Sequence, residues 1–399
     1  MHPAKIQLAH PTEFFSVPDK EKVRVAIKDV DRIITRYHSR HPSRVELHLT
    51  HDPMSAMGGL RYALKLGPRN ATGFLETFHA NPGLGAFDMY HLVNTVSISL
   101  KPWIVTFEHY LPRWNAWSRW GIEKLTHVQC RRIVAMSEYA LRSQKFVLRG
   151  FPQYAETILE KSVVLHPAQE ALITPSQRPR RTSDKLRLAF VGSDFFRKGG
   201  REILLAFSDL IREKVPVHLT IVSALDPGDY ASRTTQEDAA WAREMIRRMG
   251  DNITYTPSMP NDQVLDLFLH SDVSLLPTYH DTYGFALLES QGAGCPVIST
   301  AGCALPEIND SDIGWMIRVP LDMHGDPCFR TAEQRAVLSR TIREGLYATI
   351  KEIARNPECA AAKGENALRR IIQKHDPATV RDATESMCLD AVRGKPLLD

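Results

Sequence analysis

A glycine turn that opens a helix, flanked by two carboxylates eight residues apart, constrains this chain more than any other stretch: DTYGFALLESQGAGCPVIS, Asp281 to Ser299. Gly284 lets the backbone approach a ligand closely, and the unsatisfied N–H groups of a helix start over Phe285, Ala286 and Leu287 favour negative charge. Glu289 falls about one turn into that helix, where a carboxylate can accept hydrogen bonds from both hydroxyls of a ribose. A diphosphate and a ribose side by side describe a nucleotide-activated sugar, and Asp281 on the loop is left to face the sugar. The plain alternative is an ordinary loop-to-helix junction with an acid near the helix start.

The segment resembles the E-x7-E signature of the retaining glycosyltransferases of family 4, the glycogen-synthase-like group 1 enzymes of GT-B architecture, whose pattern reads roughly EGFGLPxLEAMAxGxPVI. The match is close from Gly284 to Ile298, with Asp281 in place of the first Glu. Upstream, LRLAFVGSDFFRKGGREILLAF (Leu186 to Phe207) is similar to the family's first donor-domain strand and phosphate loop. Further pieces lie at Val217 to Ser223, Asn252 to Thr278 and Gly302 to Ile308. The likeness is strong from Leu186 to about His375 and weak over residues 1–165.

In the phosphate loop, Gly192 ends a strand, and the run to Gly199 can present backbone N–H groups with Arg197 and Lys198 to a pyrophosphate. A cation fixed there stabilises a departing diphosphate by roughly 2 to 4 kcal/mol. The resemblance places the family's Lys at Lys198, whereas its Arg after the strand glycine is replaced by Ser193, with Arg197 as the substitute. In the amino-terminal half, KPWIVTFEHYLPR (Lys101 to Arg113) is similar to the family's T-x-H-D strand and loop. Glu108 occupies the slot of the sugar-facing histidine and His109 follows it; either can be the residue that faces the sugar, and an ordinary surface pair is the competing reading. His166, Ser137 and Glu138 match interdomain positions of architectural character.

Alternating strand and helix signals predict an α/β fold. Strand-like runs at Val45 to Leu49, Phe87 to Val93, Trp103 to Phe107, Arg132 to Ala135 and Ser162 to Leu165 are separated by helix-length segments, as in a parallel sheet with crossover helices. A polar, proline-rich stretch follows, then runs at Leu186 to Val191, Val217 to Val222, Ile253 to Thr256, Val273 to Leu276 and Val297 to Ser299. Helices are expected from Glu333 to Ala354, Pro357 to Lys374 and Pro377 to Arg393. The resemblance implies two Rossmann-like domains with a cleft between them: residues 1–166 on the acceptor side, a linker at 167–185, a donor-binding domain at 186–375, and a last helix in 376–399 crossing back to the amino-terminal domain.

With 399 residues and 43% hydrophobic content, the chain can fill two cores. No apolar run reaches membrane-span length and the amino terminus lacks a signal-peptide pattern, so a cytoplasmic protein is expected, with peripheral contact at an inner membrane face as an option. Six cysteines without C-x-x-C spacing predict buried thiols rather than disulfides or a metal site. Residues 1–165 hold 22 Lys and Arg against 14 Asp and Glu, a net of +8, which suggests an anionic lipid, membrane or glycan partner beside the simpler reading of dispersed solubilising charge. No nucleic-acid motif is present. Trp114, Trp117 and Trp120 recur every third residue beside Arg113 and Arg119, either as core packing or as an acceptor or membrane-interface platform.

The resemblance implies transfer of a hexosyl unit from a nucleotide-activated sugar to a glycan or lipid-linked acceptor with retention, the acceptor entering on the face the diphosphate leaves. A double displacement would need a free nucleophilic carboxylate. Two D-x-D triplets, Asp29-Val30-Asp31 and Asp310-Ser311-Asp312, do not follow strands that would aim them at a diphosphate, so no cofactor and no metal is expected. A nucleotide-sugar epimerase of the same fold, or a non-catalytic nucleotide-sugar-binding scaffold, is the alternative.

Overall fold

The structure, a computed structural model, describes residues 22–28, 36–38, 44–50, 78–79, 87–113, 118–177 and 183–394. The first half contributes β1 (Val23–Lys28), β2 (Val45–Thr50), β3 (Phe78–His79), β4 (Met89–Val93), β5 (Val96–Ser97), β6 (Trp103–Phe107), β7 (Cys130–Ala135) and β8 (Ser162–Val164). Six of these form a sheet in the order β2-β1-β4-β6-β7-β8, while β3 and β5 pair with each other. The second half contributes β9 (Leu186–Val191), β10 (Val217–Val222), β11 (Ile253–Thr256), β12 (Val273–Leu276), β13 (Val297–Thr300) and β14 (Trp315–Ile317), in the order β11-β10-β9-β12-β13-β14. Both sheets are parallel throughout. Two doubly wound α/β units joined by a short connection make up the GT-B fold.

Central strands that are apolar on both faces have to be covered on both sides. Every residue of β6, β12 and β13 is buried. The helix Gly200–Arg212 turns Ile203, Leu204, Phe207 and Leu210 onto the second sheet, and the long helix Ala332–Arg355 adds Leu338, Ile342, Leu346 and Ile350 at helical spacing to the same core. A capping box between Thr331 and Gln334 starts that long helix. The last helix, Pro377–Arg393, is capped by Asp376 and packs across β1, β4, β6 and β7, burying Cys388, Leu389 and Ala391 with Val23, Val25, Met89 and Ile104. The last described helix thus returns to the first sheet, as expected.

Five strands have the bounds read from the sequence; others differ. Strand β4 begins at Met89 rather than Phe87, because Asp88 ends the approach by bonding Arg24. Strand β7 begins earlier, at Cys130. Strands β1, β5 and β14 carry too few residues or too mixed a pattern to stand out beforehand. The connecting stretch is tied to the second half, with the Gln169 and Leu172 N–H groups donating to the carbonyls of His375 and Gly292 at 2.9 and 2.8 Å. None of the six cysteines forms a disulfide.

Functional loops belong at the carboxyl ends of parallel strands, where the order reverses. In the second sheet that point lies between β9 and β12. The loops after them meet there: the Tyr279 N–H and the Thr278 hydroxyl both donate to the Arg197 carbonyl, at 2.9 and 3.1 Å.

Burial pushes the imidazoles of His38, His109 and His375 down to about 4. An unfolded histidine titrates near 6.5, so between about 4 and 6.5 the unfolded chain binds more protons than the native one. The stabilising contribution is complete above that window and is lost as pH falls through it. The melting temperature is expected to drop by about 5 °C or more between pH 7 and pH 5 in a scanning fluorimetry series; a flat profile would contradict the neutral buried imidazoles.

Candidate active site

The signature loop builds the site from one backbone decision. Gly284 sits at φ 94° as the residue before the helix Phe285–Gly292, and a Cβ there would lie 2.6 Å from Leu305 Cδ2. The Asp281 carboxylate closes this turn, accepting from the Gly284 and Tyr283 N–H groups at 2.9 and 3.3 Å. Its other oxygen lies 3.7 Å from the Lys198 ammonium. Asp281 is therefore engaged in the loop and in an ion pair, rather than left open to a sugar as the sequence reading had it. The amides of Phe285 and Ala286 precede any carbonyl of their own helix at i−4 and keep anion-binding character. Leu287 differs from expectation, since its N–H donates to the Gly284 carbonyl at 2.9 Å.

Glu289 lies one turn on, and its carboxylate is paired with Arg36 from the first half. The Arg36 guanidinium also donates to Gln169 Oε1 at 2.6 Å and lies 4.7 Å from the Phe285 ring centre. One oxygen of Glu289 is thus engaged by Arg36, and the other remains for a ligand such as the expected ribose.

Across the switch point, the Lys198 side chain runs over Gly192 so closely that a Cβ on Gly192 would meet Lys198 Cδ at 2.5 Å. The glycine is there to let the lysine pass. Arg197 points elsewhere than predicted: it pairs with Asp194, three residues before it, and donates to the His280 carbonyl at 2.5 Å. A cation at a helix start needs an anion nearby, and Asp194 supplies one.

The first half closes over this loop. Glu108 accepts from the Thr282 hydroxyl at 2.6 Å and from Asn94 Nδ2 at 3.1 Å, so it faces the signature loop directly. His109 turns to the other side, stacked on Tyr139 with ring centres 5.4 Å apart and 6.0 Å from His280. Burial is the first cause of its low pKa, opposed by Asp326. It lines an interdomain cavity of about 550 Å³ with Tyr230, His280, Asp326 and Phe329. Ser137 caps the helix Glu138–Leu148, and the Glu307 carboxylate accepts from the amides of Glu138 and Tyr139 at 2.8 and 2.6 Å, binding the two halves together. His166 lies 3.0 Å from the Tyr283 hydroxyl.

Other sequence candidates lie elsewhere. Asp310 pairs with Arg370 and caps Asp312, far from the phosphate loop in role, and Asp29 and Asp31 fall outside the described residues. Trp114 and Trp117 also lie outside them. Trp120 is 44% exposed with Lys124 5.5 Å from its ring, so core packing does not account for it. The sequence does not point to Arg36, Thr282 or Glu307 individually; Thr282 stands in the signature stretch and Glu307 in the ALPEI run, while Arg36 lies in no stretch singled out.

Residues 174–324 match the family model described as "Glycosyl transferases group 1". This part of the chain, less than half of it, is similar to the group 1 glycosyltransferases. Among curated relatives, glycogen synthase of Mycobacterium tuberculosis is 24% identical over 222 residues, 55% of this chain and 46% of the relative. D-inositol 3-phosphate glycosyltransferase of Acidothermus cellulolyticus is 26% identical over 31% of this chain and 26% of its own. The chain thus spans less than half the length of these relatives. Two solved structures share the fold of the whole molecule. Sucrose-phosphate synthase from Thermosynechococcus elongatus superposes with TM-score 0.58 at 11% identity, covering 94% of this chain and 100% of that one. Anabaena HepE in complex with UDP and glucose gives 0.54 at 12% identity, covering 92% and 100%.

Gly284→Ala places a side chain in the left-handed region and against Leu305, two costs of about 1 kcal/mol or more each. Urea unfolding should lose about 2 kcal/mol or more, and a change under about 0.5 kcal/mol would mean that the turn relaxes without harm.

Proposed function

We propose that the protein is a retaining glycosyltransferase that moves a hexosyl unit from a nucleotide-activated sugar to a glycan or lipid-linked acceptor. The observation that carries this reading is the Lys198–Asp281 pair, 3.7 Å apart at the sheet's switch point, beside a helix start and beneath Glu108 of the opposite domain. In this reading the diphosphate lies on the amides of Phe285 and Ala286. Lys198 trades part of its hold on Asp281 for the phosphate oxygens and neutralises the charge that grows as the sugar–oxygen bond breaks. Arg197 adds to this once the anion competes with Asp194, and no metal is required there. The free oxygen of Glu289 takes the ribose, with Arg36 fixing the carboxylate.

Retention is favoured by what the carboxylates are already doing. Asp281 holds its own turn and Lys198, Glu108 holds Asn94 and Thr282, and Glu289 holds Arg36. None is a spare nucleophile for a double displacement, so the acceptor returns on the face the diphosphate leaves. Glu108, bonded to the signature loop, is the better sugar-facing residue, and His109 serves the adjoining cavity. The thiol state of the cysteines and the basic amino-terminal half support work in the cytoplasm at an anionic membrane face.

The reading is tested by product analysis over a panel of nucleotide sugars: acceptor-dependent release of nucleoside diphosphate is expected, and a changed sugar without acceptor would mean epimerisation. Lys198→Ala should lower kcat by a factor of about 100 or more with little change in melting temperature, and full activity would remove the lysine from the leaving-group site. Glu289→Gln should weaken nucleoside diphosphate binding about tenfold in calorimetry, since a charge-assisted bond contributes roughly 1.5 to 3 kcal/mol. Glu108→Ala should abolish turnover while nucleotide binding persists; wild-type turnover would return the role to His109.

A further inference from the structure

Beside the signature loop, three unlike ligand atoms converge. His280 Nε2 lies 3.8 Å and Cys303 Sγ 3.7 Å from the same Asp326 oxygen, and all three atoms fall within 4.8 Å of one another. Around a tetrahedral zinc, with bonds of about 2.0 to 2.3 Å, neighbouring nitrogen, sulfur and oxygen ligands stand about 3.5 Å apart. The observed spacing is within a small rotation of that. From His280, Cys303 and Asp326 we infer a binding site for a borderline-soft divalent cation, of the class of zinc or cobalt, at the wall of the interdomain cavity.

The surroundings are those of a prepared site. His280 and Cys303 are 6% and 5% exposed, and the cavity that His280 and Asp326 line provides an entry path and a fourth position. The backbone that carries the ligands is fixed: the His280 backbone N–H donates to Thr278 Oγ1 at 3.2 Å and the Asp326 backbone N–H to Asp322 Oδ1 at 3.1 Å, while the Tyr139 hydroxyl donates to the same Asp326 oxygen that faces His280 and Cys303. The Cys303 N–H donates to the Gly325 carbonyl at 2.9 Å, which ties two of the ligand loops together. Cys303 also adopts φ 53°, a left-handed backbone that a residue with a Cβ seldom takes unless its surroundings demand it. The chemistry fits as well: an imidazole nitrogen, a thiolate sulfur and a carboxylate oxygen are the donor set that a borderline-soft divalent cation takes. Binding breaks the S–H bond, forms a sulfur–metal bond and sends one proton to solvent. The cluster uses none of the residues assigned to the donor.

The alternative is a carboxylate that simply collects three hydrogen bonds. Cobalt chloride separates the two. The full chain, stripped with chelator and dialysed, should bind one equivalent of Co²⁺ with a near-ultraviolet thiolate-to-cobalt charge-transfer band and release of a proton in weak buffer, and zinc should bleach the band. Cys303→Ser should lose the band, while Cys328→Ser and Cys359→Ser keep it. Should Cys303→Ser fail to fold by circular dichroism, His280→Ala and Asp326→Asn serve instead, each expected to weaken Co²⁺ binding about tenfold or more. No band in the folded wild type at saturating cobalt, or a band that survives Cys303→Ser, overturns the site. Neither readout depends on sugar transfer.

Discussion

The turn at Gly284 is the constraint on which the rest of the site depends. Strand β12 has to stop, reverse and enter a helix within a few residues, and only a left-handed residue without a side chain fits beneath Leu305. Asp281 spends one oxygen on closing that turn and so brings its second oxygen to Lys198. The position of Lys198 in turn needs Gly192, over which its side chain lies. Backbone geometry, rather than any one ion pair, thus aligns the carboxylate, the ammonium and the first amides of the helix. A largely buried pair such as this one, at 3.7 Å, repays little beyond the cost of desolvating its charges; its worth lies in a preorganised field where charge will develop.

Around that turn the two halves are joined by a shared apolar cluster, in which Tyr37, Met136 and Tyr139 pack with Tyr283, Leu287 and Leu305, and by polar contacts at its rim. Glu307 accepts from the first amides of the helix Glu138–Leu148, where a negative charge at a helix start stabilises by about 0.3 to 1 kcal/mol, more when partly buried. Arg36 reaches Glu289, and Glu108 reaches Thr282. Contacts of this kind have competitors in water and in an anionic ligand, so they hold one arrangement without making it permanent. The last helix adds to the apolar part of the joint by burying Cys388, Leu389 and Ala391 against the first sheet.

The placement of Glu108 and His109 follows from a strand's alternation. Strand β6 ends at Phe107, and successive side chains beyond it diverge to opposite sides. Neighbours in sequence therefore serve different places: Glu108 meets the signature loop, and His109 meets Tyr139, His280 and the cavity. A residue-by-residue likeness names the slot but cannot say which of two adjacent polar side chains turns toward it.

The amino-acid sequence alone determined what local physics demands. The strands Leu186–Val191, Val217–Val222 and Val273–Leu276 were legible because buried parallel strands are rich in apolar residues, and the partly exposed edge strand Ile253–Thr256 because β-branched and aromatic residues cluster there. The helix start at Phe285 was legible because a glycine turn before an apolar periodic run has few other solutions, whereas Lys198 was singled out through the family resemblance. The occupation of each charged group was decided only by the tertiary structure. Arg36 meets Glu289 across 253 residues, Glu108 meets Thr282 across 174, and Asp326 draws in Tyr139 from 187 residues away. No period or spacing encodes such pairs, because they depend on how two sheets are set against each other. The engaged state of Asp281 escaped the reading for a related reason: its partner is the amide three residues ahead, and only the folded turn aims that N–H at it.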